Sequence, residues 1–321
     1  MRTPPDKPFV RPGASELTNL SPVSTALDIE AHRAHLISVA YRLTGSRSDA
    51  EDAVQDAWLR LRRLSETERA AILDQRAWLT TAVGRLCLDR LRSATARRES
   101  YIGPWLPEPL VSADPEDDPL AVVVRDEDVR MAAMVVLERL TPPQRVAFVF
   151  HDALAWSFAD IAEVLDCSIA AARQHASRAR RAVADAPPPP RSQIAEQQRM
   201  LTAIAEAITD GDAATLVGLL HPDAVLINDS GGMAPAARRV IRGADKVSRL
   251  LMGLSRRHGL EWLRGAVPTM VNGELGYWTP GVGTAPEAVT VFSVADGLVM
   301  GCYSVLNPAK LGRLPGMPPR T

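Results

Sequence analysis

The apolar positions of the first hundred residues fall into a helical repeat. It begins near Asp28, and Leu36, Ala40 and Leu43 share one face before "TGS" interrupts it. Ser48 is placed to cap a second helix, with Asp49, Glu51 and Asp52 in its first turn, where the helix dipole favours anions. Ala50, Ala53, Val54, Ala57, Trp58 and Leu61 make one apolar stripe along it, while Asp49, Asp52, Gln55 and Asp56 occupy the other face. After "LSETERAAILDQ", read as a flexible segment, a third helix turns Ala77, Trp78, Ala82, Val83 and Leu86 inward and its arginines outward. Residues 25–100 therefore read as a small helical bundle behind a Pro-broken, disordered tail over 1–24.

Residues 129–186 predict four more helices. Pro142 and Pro143 follow Thr141 at a helix start, where Pro costs least. The last two helices form a helix-turn-helix candidate. Ser157 to Asp160 approximates a capping box, and Ile161, Ala162 and Leu165 face inward. Asp166 takes the turn position where Gly is usual, Ser168 caps the second helix, and Ala172, Ala176 and Ala179 point into the core. That leaves Arg173, Gln174, His175 and Arg178 outward, able to reach base edges or phosphates in a major groove. Arg180 and Arg181 are placed to meet phosphate only.

"APPPP" at 186–190 is a stiff boundary, and the pattern changes after it. Ile194 to Thr209 is amphipathic, "GDAATLVGLL" is a short helix, "HPDAVLIND" a strand and "RGADKVSRLLMGLSRR" a third helix. From Leu260 onward, alternation and Gly/Pro breaks predict antiparallel strands in "LEWLRGAVPTMV", "ELGYWTP", "EAVTVFSVADG" and "LVMGCYSVLNP", with Asp296-Gly297 as a hairpin turn. Helices followed by a curved sheet make an α+β cone over 187–312, ahead of a short tail at 313–321.

Charge changes the picture. The net formal charge of the 321 residues is only −1, but the charge is segregated. Arg85, Arg90, Arg92, Arg97 and Arg98 face a single acid, Asp89, within 85–98; Arg173, Arg178, Arg180 and Arg181 face none within 173–181. Between them run Asp114, Glu116, Asp117, Asp118, Asp126, Glu127 and Asp128. Two basic contact faces joined by an acidic connector are implied. Cys87, Cys167 and Cys302 are scattered, which excludes a disulfide framework and offers no metal-ligand spacing; a reducing cytoplasm is the expected home. No run approaches a membrane span.

One stretch fits neither helical block. In "IGPWLPEPL", residues 102–110, Trp105 stands among Pro104, Pro107 and Pro109, on a backbone that cannot be helical. An indole on a pre-ordered strap loses little entropy on docking, so Trp105 is expected to bury against another domain of the same chain.

"AYRLTGSRSDAEDAVQDAWLRL" followed by "AWLTTAVGRLCLDRLRS" resembles region 2 of the extracytoplasmic-function sigma factors, and the helix-turn-helix closing in "SRARRAV" resembles their region 4. The cone resembles the SnoaL-like, ketosteroid-isomerase-like fold. Combined with "WLPEPL", "NDSGGM" and "NPAKL", it is similar to the sigma factors that carry such a domain in place of a separate anti-sigma protein. The fold class implied is multidomain: two all-α sigma domains (residues 25–100 and 129–186), a linker over 101–128 and the α+β cone.

The resemblance implies a transcription initiation factor, not an enzyme, whose partners are core RNA polymerase and promoter DNA. It assigns polymerase docking to Asp49, Asp52, Gln55 and Asp56, and the −10 element to Arg85, Asp89, Arg90 and Arg92 together with a flipped base in the "SETERAAILDQ" segment. The −35 element falls to Arg173, Gln174, His175, Arg178, Arg180 and Arg181. It expects interdomain docking of Trp105, Leu106, Pro107 and Leu110 near Asp229, Gly231, Gly232, Asn307 and Lys310. Ser230, Met233 and Ala309 depart from the usual motifs at a Gly, a Lys and an Asp. Asp229, His221, Tyr277 and Trp262 are the candidate acids, bases and pocket groups, at no telling spacing, so no catalytic set, metal or cofactor is assigned. A small-molecule effector in the cone and a monomeric free state complete the expectations. The alternatives are a SnoaL-like enzyme or small-ligand sensor with an attached helical module, and a dimeric DNA-binding regulator.

Overall fold

The computed structural model of the chain describes residues 30–98, 101–112 and 129–312. The acidic connector and both termini lie outside the described residues. The first block is α1 (Glu30–Thr44), α2 (Arg47–Arg63), α3 (Glu66–Ala70) and α4 (Gln75–Arg98). Gly45, at φ +66°, has already turned the chain at the end of α1, so the cap of α2 falls on the next residue. Ser46, not Ser48, accepts from the Asp49 amide at 3.1 Å, and Ser48 lies inside the helix. The stripe Ala50, Ala53, Val54, Ala57 and Leu61 is buried as read, with Trp58 half-buried at its edge. The "SETERAAILDQ" segment is more ordered than expected. Ser65 and Glu68 form a complete capping box that starts α3, which buries nothing.

The second block is α5 (Met131–Leu137), α6 (Pro142–Phe148) running into a π-helical turn (Val149–Ala153), α7 (Phe158–Leu165) and α8 (Ile169–Ala184). Its helix-turn-helix corner is built as the residues imply. Ser157 and Ser168 accept from the amides of Asp160 and Ala171, and Asp166 adopts φ 51°, ψ 56°. Ala172, Ala176 and Ala179 are fully buried, their small size letting α8 lie close to α6.

The two blocks are not separate bodies. One continuous core runs from Leu36 in α1 to Ala179 in α8. Gly84 makes this possible: a Cβ there would lie 2.5 Å from the Phe150 ring and 3.1 Å from Val164.

The cone consists of α9 (Ile194–Asp210), α10 (Ala213–Gly218), α11 (Ala244–His258), α12 (Glu261–Arg264) and α13 (Pro308–Leu311) against one sheet. Its strands are β1 (Val111–Ser112), β2 (Leu220–Asp229), β3 (Ile241–Arg242), β4 (Val267–Val271), β5 (Glu274–Thr279), β6 (Ala288–Ala295) and β7 (Leu298–Val305). They lie in the order β1-β4-β5-β6-β7-β2-β3, with only β2 and β7 parallel. Asp296 and Gly297 both have positive φ, 52° and 70°, as a two-residue hairpin turn requires. "LEWLR" is helical rather than extended. Glu261 pairs with Arg264 at 3.1 Å, a spacing of three that only a helical turn brings together, and the strand begins at Val267.

Side chains alternate across this sheet. Leu226 and Phe292 pack on the cone's own helices, whereas Ile227, Val291 and Tyr303 pack on Leu106, Val111, Met131 and Ala132 from the strap and α5. One face is the cone's interior; the other is its interface with the rest of the chain. The strap goes further than docking, since Val111 and Ser112 pair with Val271 and Met270 as an added edge strand.

Candidate functional site

The strap is held on the cone side by one carboxylate. Asp229, at the end of β2, is completely buried. It accepts from the Tyr101 hydroxyl, from the Leu106 amide at 2.7 Å and from Lys310 Nζ at 2.7 Å. Lys310 also donates to the Leu106 carbonyl, and its ammonium lies 3.8 Å from the centre of the Trp105 ring. Asn307 caps α13 by accepting from the Ala309 amide at 3.0 Å and donates through Nδ2 to the Tyr101 hydroxyl at 2.8 Å. The Leu306 and Asn307 amides both donate to the Asp229 carbonyl, at 2.7 and 3.0 Å. Gly231 and Gly232 clear the way for the strap: a Cβ on Gly231 would lie 2.6 Å from Asn307 Nδ2, and one on Gly232 3.0 Å from Ile102.

The opposite side of the strap engages the first block. The Trp105 ring sits over Gly45, where a Cβ would come within 2.7 Å of it. Glu108 covers the start of α2, accepting from Ser46 Oγ at 2.8 Å and from the Arg47 amide at 2.7 Å, while its own amide donates to the Gly45 carbonyl at 2.8 Å. A carboxylate at a helix N-terminus is favoured by both hydrogen bonding and dipole. Leu106, Pro107 and Leu110 are buried.

A buried asparagine joins all the parts. Asn272, in the β4–β5 turn, donates through Nδ2 to the Tyr41 hydroxyl at 2.9 Å in α1 and to the Val129 carbonyl at 2.7 Å beside α5. Its Oδ1 and amide pair with the Leu110 amide and carbonyl, at 3.0 and 2.9 Å. Burial pushes the Tyr41 phenol up, so it stays a donor, here to the Glu108 carbonyl at 2.8 Å. Nearby, Arg130 of the second block reaches Glu274 of the cone at 3.8 Å. Burial raises the Glu274 carboxyl to about 7, against the opposing charges of Arg130 and Arg191.

Glu108, Tyr101, Tyr41 and Asn272 were not singled out in the sequence. Glu108 had a signal, an acid between two prolines; Asn272 had a weaker one, Asn-Gly between two strands.

The expected nucleic-acid and polymerase faces are rearranged by intramolecular contacts. On α2, Asp52 and Gln55 are exposed, but Asp49 and Asp56 are drawn to Arg90, at 4.0 and 2.9 Å. Arg90 thus bridges to the acidic face instead of pointing away from it, because α2 and α4 pack side by side. Arg85 donates to the Glu163 carbonyl of α7 at 3.1 Å, so the second block lies over it. Asp89 and Arg92 remain exposed, 3.6 Å apart on one helix. On α8, Arg173, Gln174, Arg178, Arg180 and Arg181 are exposed and His175 half-buried, its pKa lowered by burial and by Arg178. Arg173 stacks on Phe158 at 5.7 Å, and Arg180 pairs with Asp152 at 2.8 Å.

The motif departures are accommodated by backbone contacts. The Ser230 hydroxyl accepts from the Gly232 amide at 3.3 Å. Met233 is largely exposed and contributes its amide to the Ser230 carbonyl at 2.9 Å. Ala309 is exposed, and its amide is the one Asn307 caps. Of the candidate pocket groups, Tyr277 and Trp262 line the cone's cavity; Asp229 and His221 do not, Asp229 because the strap takes its carboxylate. Among the described residues no group of three His, Cys, Asp or Glu could hold a metal, and no helix is long and apolar enough to cross a membrane.

Known proteins carry the same organisation. Residues 29–97 match the family Sigma-70 region 2 and residues 130–183 match Sigma-70, region 4. The chain is 50% identical over 296 residues to the ECF RNA polymerase sigma factor SigJ of Mycobacterium tuberculosis, covering 88% of this chain and 92% of that one. The crystal structure of M. tuberculosis SigJ superimposes with a TM-score of 0.75 at 48% identity, over 88% of this chain and 97% of that one. Paired region 2 and region 4 blocks define an RNA polymerase sigma factor. The chain belongs to the extracytoplasmic-function (ECF) family of these factors, which are not enzymes and act by binding core RNA polymerase and promoter DNA.

Proposed function

We propose that the free sigma factor is a closed monomer held shut by its own cone, and that polymerase and promoter capture require the strap to let go. The observation that carries this is the packing of α4 against α7, with Arg85 bound to the Glu163 carbonyl at 3.1 Å. The names of the −35 and −10 elements place them about 25 base pairs apart, about 85 Å at 3.4 Å per pair. Helices in van der Waals contact cannot serve both ends of that span. The strap leads from the first block to the second, and Asp229, Asn272 and Glu108 fix it in one position.

In the open form, Asp49, Asp52, Gln55 and Asp56 meet polymerase. Arg85, Asp89, Arg90 and Arg92 meet the −10 element, Arg90 exchanging its carboxylate partners for phosphate. Arg173, Gln174, His175 and Arg178 read −35 base edges, and Arg180 and Arg181 hold phosphate. A small-molecule effector in the cone biases the balance between the two forms.

The test removes both charges of the clasp, Asp229→Leu with Lys310→Met, so that neither is left buried alone. Affinity for core RNA polymerase, measured by fluorescence anisotropy, is expected to rise about tenfold, equivalent to about 1.4 kcal/mol of lost closure. Unchanged or weaker binding refutes closure by the cone.

A further inference from the structure

We infer that the interior of the cone binds a neutral, lipophilic molecule of about one ring, anchored at one end by the indole N–H of Trp262. This deepens the effector reading above and rests on it. The cavity measures about 150 Å³ and lies between α9, α11, α12 and the inner face of the sheet. Its walls are apolar, with Leu201, Ile204, Leu254, Leu263 and Phe292 prominent, and no Asp, Glu, Lys or Arg is among the lining residues.

Several polar groups on that wall are engaged within the protein, Thr279 donating to the Ala288 carbonyl at 3.3 Å. Thr290 and Ser304 hydroxyls bond each other at 2.9 Å, and burial holds the Cys302 thiol neutral, up to about 12. Among the lining groups left without a protein partner, the Trp262 Nε1–H is the one that is also fully buried. A buried donor without an acceptor is costly, and an acceptor on a bound molecule removes that cost.

Size and charge narrow the class. A cavity of this volume with Leu, Ile and Phe walls is large enough for a benzene-sized ligand. A carboxylate or ammonium would be stripped of water with no Asp, Glu, Lys or Arg on the wall to pair it, and the one imidazole there, His258, is already bonded through Nδ1 to the Thr284 hydroxyl at 2.9 Å. The occupant is therefore uncharged, largely hydrocarbon, and carries a carbonyl-like acceptor.

The position ties the cavity to the clasp. Asn228 and Leu306 line it, and the residues that follow them, Asp229 at the end of β2 and Asn307 just past β7, hold the strap. An occupant lies one peptide away from the closing contacts. It shifts the closed–open balance to the extent that it binds the two forms differently.

The experiment uses the full-length protein and three probes: acetophenone (neutral, with an acceptor), ethylbenzene (no acceptor) and benzoate (charged). Titrations followed by indole N–H resonances are expected to show saturable binding of both neutral probes, with acetophenone perturbing the Trp262 signal. Benzoate should bind at least about tenfold more weakly. Trp262→Phe should weaken acetophenone about three- to tenfold, the worth of one hydrogen bond, and leave ethylbenzene within about twofold. No saturable binding of the neutral probes, benzoate as tight as acetophenone, or acetophenone indifferent to Trp262→Phe overturns the inference. Should that variant not fold, the three-probe ranking on the unmodified protein decides alone. The clasp variant keeps this cavity, so a cone that binds nothing leaves the clasp result standing, and a failed clasp leaves binding standing.

Discussion

Gly45 offers a test of where the strap sits that separates docking from folding. Alanine at this position has two costs. Its φ of +66° strains any L residue, but that strain is internal to the α1–α2 turn and is present whether or not the strap is docked, so it cancels from the docking equilibrium. The second cost does not cancel. The new Cβ would lie 2.7 Å from the Trp105 ring, and overpacking of this kind costs about 1–3 kcal/mol. Trp105→Ala alone removes a half-buried indole and its contact with the Lys310 ammonium, about 2–3 kcal/mol in all.

The assay is native-state hydrogen exchange at the Leu106 and Leu110 amides, bonded to Asp229 and Asn272 at 2.7 and 3.0 Å and released only when the strap lifts. Gly45→Ala should speed their exchange about 5- to 150-fold, and Trp105→Ala about 30- to 150-fold. In the Trp105→Ala background Gly45→Ala should add less than about twofold, because the clash has lost its partner. Equal acceleration in both backgrounds would mean that the indole does not rest on Gly45, and the description of the strap would fall.

Other expectations follow from the same contacts. Gly84→Ala places a Cβ 2.5 Å from the Phe150 ring, so it should loosen the two blocks and tighten core polymerase binding even though it gains about 0.5–1 kcal/mol of helix propensity; weaker binding refutes the closed arrangement. Glu274 has a folded pKa near 7 against an ordinary 4.5, so its contribution to stability is complete below 4.5 and lost as pH rises through about 7. The melting temperature should fall across that window and Glu274→Gln should flatten the decline, whereas an opposite slope excludes Glu274 as its source. On open promoter complexes, Arg178→Ala should cost about 1–3 kcal/mol selectively on the preferred −35 sequence, while Arg181→Ala should weaken all sequences alike and lower the salt slope by about one. A sequence-selective loss from Arg181→Ala would overturn that division.

Most of the architecture was legible because it rests on local signals. The α2 stripe, the Ser157 and Ser168 caps, the left-handed Asp166 and the Asp296-Gly297 turn each depend on residues a few positions apart. What was hidden depends on contacts between distant segments. Ser48 looked like a cap until Gly45 fixed the turn one residue earlier. Arg85 and Arg90 looked outward because periodicity assigns a face to a helix but does not say what will lie over it. Trp105 was marked as an anchor from its proline-braced setting, and its ring lies over Gly45 and the Lys310 ammonium; its neighbour Glu108, whose carboxylate meets residues about sixty positions away, gave no periodic signal at all.

The chemistry of the strap suits a contact that must open. Leu106 and Val111 contribute apolar burial on the cone, but position is set by buried polar groups: the Asp229–Lys310 pair, the Asn272 node and the Glu108 cap. A buried ion pair adds little net stability over an apolar replacement, since desolvation offsets most of its attraction, but it penalises every misaligned register heavily. An all-apolar contact would tolerate sliding, and it would leave the buried Leu106 amide and carbonyl, which Asp229 and Lys310 now satisfy, without partners. The polar one holds a single geometry, and once it is lifted water satisfies each group, so release leaves no orphaned charge behind. On that argument, replacing Asp229 alone should be worse for the fold than replacing it together with Lys310, because only the single change strands an ammonium whose side chain is 9% exposed beneath the strap. If the single variant melts at or above the temperature of the double, the ion pair is not what fixes the strap.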